Sequence, residues 1–276
     1  MNRIECKPCN TRYPVVLIHG AGFRDLKWPE SWRRIPAALQ KEGAEVYYGL
    51  QDSWGTIETN ARQIQERLEE ILRDSGSEKV NIIAYSKGGL DIRMAVSSLG
   101  CGDKVASITT IATPHHGSKT MDWMLRFHRL LLKTAAFVIN SCIRILGDQQ
   151  PDFFQVCTEL TTEEMNRFNE ENPDVPGIYY QSVGCIMCSP RSDILLSIPY
   201  VIIHKLEGEN DGMVSVESAR WGNEFRLLWT DGMRGISHLD AIDFRRRSLL
   251  RETGSRWNSI CDLYVEIVAG LKKQGL

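Results

Sequence analysis

The 276-residue chain has no apolar run long enough to span a membrane. A bilayer-crossing helix needs roughly 18 or more uninterrupted apolar residues. The greasiest stretch, Met121 to Leu146, is broken by Asp122, Arg126, Arg129, Lys133 and Arg144. The opening Met1-Asn2-Arg3-Ile4-Glu5-Cys6 lacks the apolar core of a secretion signal. The sequence as it stands is therefore expected to be cytoplasmic, and secreted only where a leader has been removed. A basic excess is missing too. Against 35 acidic residues stand 33 lysines and arginines, a net charge of −2, which does not suit a phosphate backbone, so nucleic acid is not an expected partner. There is no internal repeat, low-complexity segment or linker, which makes one domain the simplest account. Histidine is scarce: there are six, and any general base must be sought among them.

Cysteine is present eight times, with two C-x-x-C pairs, Cys6/Cys9 and Cys185/Cys188. Such pairs can form a four-thiolate zinc site. The first pair precedes an expected strand and the second follows one, so in a parallel sheet they fall at opposite edges. Scattered reduced thiols are the simpler reading.

Pro14–Ile18 is a short β-branched apolar run ending at His19-Gly20-Ala21-Gly22, a buried strand entering a glycine-permissive loop. Trp32–Lys41 reads as helix and Glu45–Tyr48 as strand. Thr59–Arg73 places Ile64, Leu68, Ile71 and Leu72 on one helical face, with Gly76 as its stop. Val80–Ala84 (strand), Gly88–Leu99 (helix) and Val105–Ala112 (strand) continue an alternation that predicts an α/β fold with a mostly parallel sheet and helices on both faces. Further strands are expected at Ile178–Val183, Ile198–His204 and Phe225–Trp229, and a last helix at Ser255–Lys273. Met121–Leu146 breaks this rhythm. It predicts either a helical pair packed on the sheet or a helical cap or lid, an insertion over about residues 118–172 covering an apolar site.

The strongest chemical signal is Ala84-Tyr85-Ser86-Lys87-Gly88-Gly89 between a strand and a helix. A sharp nucleophile elbow needs small residues two before and two after the serine. Ser86 then stands at a helix N-terminus, with the Lys87 amide aimed where an oxyanion would form. A helix N-cap is the alternative role for Ser86. Upstream, His19-Gly20-Ala21-Gly22-Phe23 leaves its strand where a second oxyanion amide is needed. Ala21 is the first candidate and Gly22 the second, while the His19 ring holds the loop. Gly22, Phe23 and Tyr85 are candidate substrate contacts. The acid and base must follow in the order serine, acid, histidine. That order removes His19, His115, His116 and His128, and His204 sits in an expected core strand. His238, in a loop before an expected helix, is the candidate base. Asp211, in Asn210-Asp211-Gly212, is the candidate acid, with a plain Asp-Gly turn as the other reading and Asp231 as runner-up.

With these residues in place, the sequence from about Tyr13 to Phe244 resembles the bacterial triacylglycerol lipases and esterases of the α/β-hydrolase superfamily. Tyr13–Gly20 is similar to their oxyanion strand and loop, Val80–Gly89 to their elbow, and Ala112–Ser118 to the segment after their next strand. Asn210–Val214 and Ser237–Asp240 are similar to their acid and base segments. The resemblance implies the same triad, no required cofactor, and an ester or lipid substrate met through transient contact of a lid with a lipid interface. Lys87 departs from the Met, Gln or His usual there, and its side chain is expected at the pocket rim. Tyr85 replaces a frequent histidine. The resemblance also implies a structural calcium near the base, with Asp240 and Asp193 as ligands. Phe244 stands where the relatives have a glutamine ligand, and Asp240 as a helix cap is the other reading.

These observations predict a serine hydrolase cleaving carboxylic esters through an acyl-enzyme, with medium-chain esters first among substrates. An acyltransferase or thioesterase on the same triad is distinguished by which acceptor outcompetes water. A catalytically silent receptor or interaction protein on this fold is distinguished by the absence of ester turnover.

Overall fold

The computed structural model describes residues 7–25, 31–230, 234–249 and 257–276. Six strands form one parallel sheet: β1 (Val15–Ile18), β2 (Val46–Tyr48), β3 (Val80–Tyr85), β4 (Val105–Ile111), β5 (Tyr179–Cys185) and β6 (Glu224–Leu228), in the order β2-β1-β3-β4-β5-β6. Strands β1, β3 and β4 are buried along their whole length. Their β-branched runs are what a sheet covered on both faces requires. The helices supply the cover. On one face α1 (Ile35–Lys41) and α9 (Ile260–Lys273) pack around Trp32, Leu39, Tyr264 and Val268. On the other, α2 (Ile57–Ser75) and α3 (Gly88–Ser97) enclose Ile64, Leu68, Ile82 and Ile92. This is the α/β-hydrolase fold.

Helix boundaries follow local chemistry. Thr56 caps α2 by accepting from the Thr59 N–H (3.1 Å), and Gly76 ends it at φ 66°. Helix α9 starts at Ile260 behind a capping box of Ser259 and Asp262. The expected start at Ser255 lies outside the described residues.

Between β4 and β5 the chain forms α4 (Lys119–Ile145), kinked at His128, then α5 (Phe153–Glu159) and α6 (Thr162–Glu171). Both ends of α4 are tied to the body. At its start, Glu207 accepts from Ser118, Thr120 and Ser215 side chains. Beyond its end, Asp148 accepts from the Ser53 hydroxyl (2.9 Å) and the Trp54 N–H (2.8 Å), and Asp52 accepts from the Gln149 and Gln150 amides.

One expected strand is a helix. Ile198–His204 lies within α7 (Ser197–Glu207), which buries Tyr200 and Ile203 three apart and exposes Ile198, Val201 and His204. Pro199 stands in its first turn, where the missing N–H costs nothing; in a strand it would remove a ladder donor. His204 is consequently no core histidine; it is exposed and stacks on Tyr200. A one-turn helix, α8 (Val216–Ala219), precedes β6.

Candidate active site

The chain runs from β1 outward to β2 and then returns to place β3 on the other side of β1. A crevice opens at such a switch point, beyond the carboxyl ends of the strands. The loop after β1 and the turn after β3 both end there. Ser86 occupies that turn at φ 52°, with its N–H donated to Ile111 O (2.8 Å). A left-handed non-glycine residue is strained, and here the surrounding strands hold it. The neighbours must be small. A Cβ on Gly88 would lie 2.3 Å from the His19 carbonyl oxygen, and one on Gly20 would lie 2.6 Å from Ser86 Cβ.

The other two residues arrive on loops after β5 and β6. Residues 186–187, just past β5, hold both. Met187 N–H donates to Asn210 O (2.9 Å) and Ile236 N–H to Ile186 O (2.7 Å). Asp211 therefore reaches the sheet edge from the loop between α7 and α8, not from a strand ending near His204. The three side chains meet. His238 Nε2 lies 3.0 Å from Ser86 Oγ, and its Nδ1 lies 2.7 Å from Asp211 Oδ2. Asp211 Oδ1 accepts from the Met213 and Val214 amides (2.9 and 2.8 Å), so the buried carboxylate is fully solvated by protein. Asp231 lies outside the described residues.

Ala21, Lys87 and Phe23 line a cavity of about 380 Å³ that opens on Ser86 and His238. Its walls are apolar: Trp54, Met124, Leu132, Phe153 and Leu196 among them. A larger cavity, about 500 Å³, lies between residues 186–188, α7 and Trp229. None of the three residues lines it, so it has no part in their chemistry. Gly22 donates its N–H to Ser53 O (3.0 Å), which leaves Ala21 as the loop amide beside Ser86.

Two residues sit differently from expectation. Tyr85 lies beneath the imidazole, fully buried. It donates its hydroxyl to His238 O (2.9 Å), its ring centroid is 4.8 Å from the histidine's, and burial pushes its phenol well above the usual range. The Lys87 side chain is not at the rim. It turns inward, and its Nζ donates to Asp91 Oδ1 (2.6 Å), whose other oxygen accepts from Asn60 Nδ2 (2.9 Å). Burial raises the Asp91 carboxyl, opposed by Lys87. The i,i+4 spacing of Lys87 and Asp91 is the signal that could have revealed this pair. Nearby Glu159 accepts from the Ile57 N–H (3.0 Å), and burial pushes its carboxyl up to about 7.

The remaining histidines are structural or peripheral. His19 bridges Gly20 O and Gln51 O, both at 3.0 Å, and so holds its loop as expected. His115 is buried against Thr110, Arg93 and the Trp221 ring, and burial pushes its pKa well down. His116 and His128 are exposed.

Asp193 and Asp240, the residues expected to hold calcium, do converge on Ser237. Asp193 Oδ2 accepts from Ser237 Oγ (2.9 Å), and Asp240 Oδ2 from Ser237 N–H (3.3 Å). Each is already neutralised, Asp193 by Arg245 and Asp240 by Arg247. One oxygen, Asp240 Oδ1, is buried without a partner, whereas calcium takes six to eight oxygens. These residues do not fit a calcium ion; two guanidinium groups stand where its charge would be. Among the described residues no group of three or more His, Cys, Asp or Glu could hold a metal. Of the cysteine pairs, Cys6 lies outside the described residues; Cys9 is buried ahead of β1, and Cys185 and Cys188 lie at the far edge of the sheet, buried and exposed respectively.

A family model described as palmitoyl protein thioesterase matches residues 14–163, just over half of the chain. The chain is similar to triacylglycerol lipase 2 of Saccharomyces cerevisiae, 27% identical over 263 residues that cover 89% of this chain and 74% of that protein. It is similar to a triacylglycerol lipase of Pseudomonas fragi at 27% identity, covering 97% and 98% of the two chains. In structure it resembles a metagenomic carboxyl esterase (TM-score 0.72, 16% identity, 96% and 76% of the chains). It also resembles lipase 1 from Pelosinus fermentans (TM-score 0.66, 16% identity, 95% and 99%). The last two likenesses show the fold. The chain belongs to the palmitoyl protein thioesterase family and, with these lipases, to the α/β-hydrolase superfamily; it is a carboxylic ester hydrolase of the lipase and esterase class.

Proposed function

We propose that Ser86 is the nucleophile of an acyl-transfer reaction in which His238 is the general base and Asp211 holds and stabilises the imidazolium. The observation that carries this reading is the continuous Asp211–His238–Ser86 hydrogen-bonded chain opening into an apolar cavity. His238 Nε2 takes the hydroxyl proton as Ser86 Oγ attacks the ester carbonyl. The amides of Ala21 and Lys87 receive the oxyanion, and the imidazolium returns its proton to the leaving alcohol. Water, activated by the same imidazole, then releases the acid. The cavity suits an acyl chain of medium length, and α4, α5 and α6 act as a cap over it within a single domain. Because α4 is tied at both ends, substrate is expected to enter by movement of its kinked middle, at the lipid interface.

Turnover of p-nitrophenyl acetate, butyrate, octanoate and palmitate by wild type and Ser86→Ala tests this. Loss of about 10⁶-fold in kcat is expected in the variant, with a wild-type preference above acetate. Equal rates in both proteins would overturn the nucleophile assignment.

The matched family's description favours a second reading, in which the bond cleaved is a thioester. Comparing oxygen and sulfur esters of one acyl chain separates the two: the preferred leaving group is the one whose kcat/KM is higher relative to its alkaline hydrolysis.

A further inference from the structure

The Ala21 amide belongs to a loop, not to a strand. It sits in a turn closed by Phe23 N–H donating to Gly20 O (3.3 Å). A donor that receives a developing charge must be held to within about 0.5 Å, so something has to fix this turn. The neighbouring segment 51–54 does so. His19 Nε2 lies 3.0 Å from Gln51 O, Gln51 Nε2 donates to His19 O (2.9 Å), and Gly22 N–H donates to Ser53 O (3.0 Å).

Segment 51–54 is in turn gripped by one carboxylate from beyond the end of α4. Asp148 is buried, and its Oδ2 accepts from both the Ser53 hydroxyl (2.9 Å) and the Trp54 N–H (2.8 Å). The Ser53 C=O and the Trp54 N–H belong to one planar trans peptide, so they point in opposite directions. Holding the N–H therefore aims the C=O, and that C=O is the acceptor for Gly22. The two bonds run in series through one peptide, each polarising the other. Asp148 Oδ1 lies 3.3 Å from Arg24 Nη1, a charge contact and not an aligned hydrogen bond. Arg24 also donates to Leu146 O. Between these two partners stands Gly147 at φ 108°, where an added Cβ would lie 2.9 Å from Arg24 Nη1. Both flanks of the Ala21 turn thus lead to Asp148, from Gly22 through Ser53 and from Arg24 directly.

The carboxylate does nothing for its own helix. The end of α4 is closed by backbone bonds, Leu146 N–H to Cys142 O (3.1 Å) and Asp148 N–H to Ile143 O (3.2 Å). Nor is it needed to tether the cap. Asp52 accepts from the Gln149 and Gln150 amides, and Asp152 N–H donates to Trp54 O (2.8 Å). Burying a carboxylate is costly unless its partners are placed to use it, and here those partners all lie beside the nucleophile.

We propose that Asp148 is a positioning residue for the oxyanion site: it aims the Ser53 carbonyl at Gly22 and holds Arg24, so that the Ala21 amide stays directed beside Ser86. The inference rests on the reading of Ala21 as an oxyanion donor.

The test uses the whole chain, with kinetics on p-nitrophenyl butyrate, thermal melts, and inhibition by a trifluoromethyl ketone carrying a butyl chain. The hemiketal that this ketone forms with Ser86 bears an oxyanion, so its affinity follows the oxyanion site. Asp148→Ala is expected to lose about 10²-fold in kcat with KM within about twofold. Its inhibition constant is expected to rise by the same factor. Asp148→Asn keeps an acceptor for Ser53 and Trp54 and is expected to recover most of the rate. Combined with Arg24→Met, it is expected to be no slower than the slower single variant, since the two residues act as a pair. These milder variants carry the test where Asp148→Ala does not fold. Asp122→Asn loosens the cap elsewhere, where the carboxylate accepts from Thr162 N–H (2.9 Å) and its hydroxyl (2.6 Å), and is expected to keep wild-type kcat. Unchanged kcat and inhibitor affinity in folded Asp148 variants, a rise in KM in place of a fall in kcat, or an equal fall in Asp122→Asn would overturn the assignment. Wild-type rates in Ser86→Ala would instead remove the nucleophile reading, and this inference with it.

Discussion

Replacing Gly20 by alanine isolates how closely the two halves of the site approach. The added methyl would lie 2.6 Å from Ser86 Cβ and 3.0 Å from the Tyr85 carbonyl oxygen. Ordinary contact begins near 3.4 Å, so the loop after β1 and the elbow must part by ~0.8 Å, and packed cores resist such insertions. Neither obstacle is the free end of a flexible side chain. Ser86 Cβ is one bond from a backbone already at positive φ, and Tyr85 O belongs to the central strand. Overpacking of this kind costs about 1–3 kcal/mol of stability. A displacement approaching 1 Å between reacting groups costs ~10²-fold in rate. The same motion carries the Ala21 amide away from the Lys87 amide, so the loss should fall on kcat rather than KM. Gly100→Ala is the control. At φ 74° with nothing within 4 Å of an added Cβ, it meets left-handed strain of about 1 kcal/mol and no clash. Steady-state kinetics with p-nitrophenyl butyrate and thermal melts should show both variants destabilised and only Gly20→Ala slowed. Unchanged kcat in Gly20→Ala, or an equal fall in both, would refute the displacement argument.

Tyr85→Phe removes the hydroxyl that supports His238 O and leaves a buried carbonyl short of a donor, which costs about 1–3 kcal/mol; a melt should show it, with kcat falling and KM unmoved. Glu159→Gln should stabilise in a pH-dependent way. Burial pushes the folded carboxyl up to about 7 from the usual 4.5, so the folded state binds the extra proton, and stability falls as pH rises through that window. The Gln variant, which keeps the acceptor for Ile57, should gain on the order of 1–3 kcal/mol at pH 8 and nothing at pH 4.5; equal melts at pH 8 would contradict the burial argument. Arg247→Met strands the Asp240 carboxylate beside His238 and should cost about 3 kcal/mol. In wild type, EDTA should leave the melting temperature unchanged, and a rise on adding calcium chloride would show that the guanidinium groups do not replace the ion.

The elements nearest the site were the most legible because their signals are local. Val80–Ala84 followed by small residues around Ser86 describes a strand, a turn and a helix within ten positions, and the packing of Gly88 on the His19 carbonyl explains why nothing larger stands there. Chain order then picked Asp211 and His238 from few candidates. Ile198–His204 misled because Ile198 and Val201 on the exposed face and Ile203 on the buried one together make a β-branched run whose composition mimics a strand; Pro199 was the contrary sign. Asp211 was placed correctly on a loop for the wrong reason, since α7 rather than a strand precedes it.

From sequence alone came the alternation that makes the sheet, the elbow, the serine–acid–histidine order and an irregular apolar stretch between β4 and β5. These depend on residues close together along the chain, where periodicity and steric size speak directly. Only the tertiary structure decided which way side chains point: Lys87 inward to Asp91, Tyr85 beneath His238, Arg245 and Arg247 onto the carboxylates beside His238, and most large apolar side chains of α4 outward. Each is set by contacts between segments from 4 to about 150 residues apart, and no local pattern encodes which of two faces a folded body will leave uncovered.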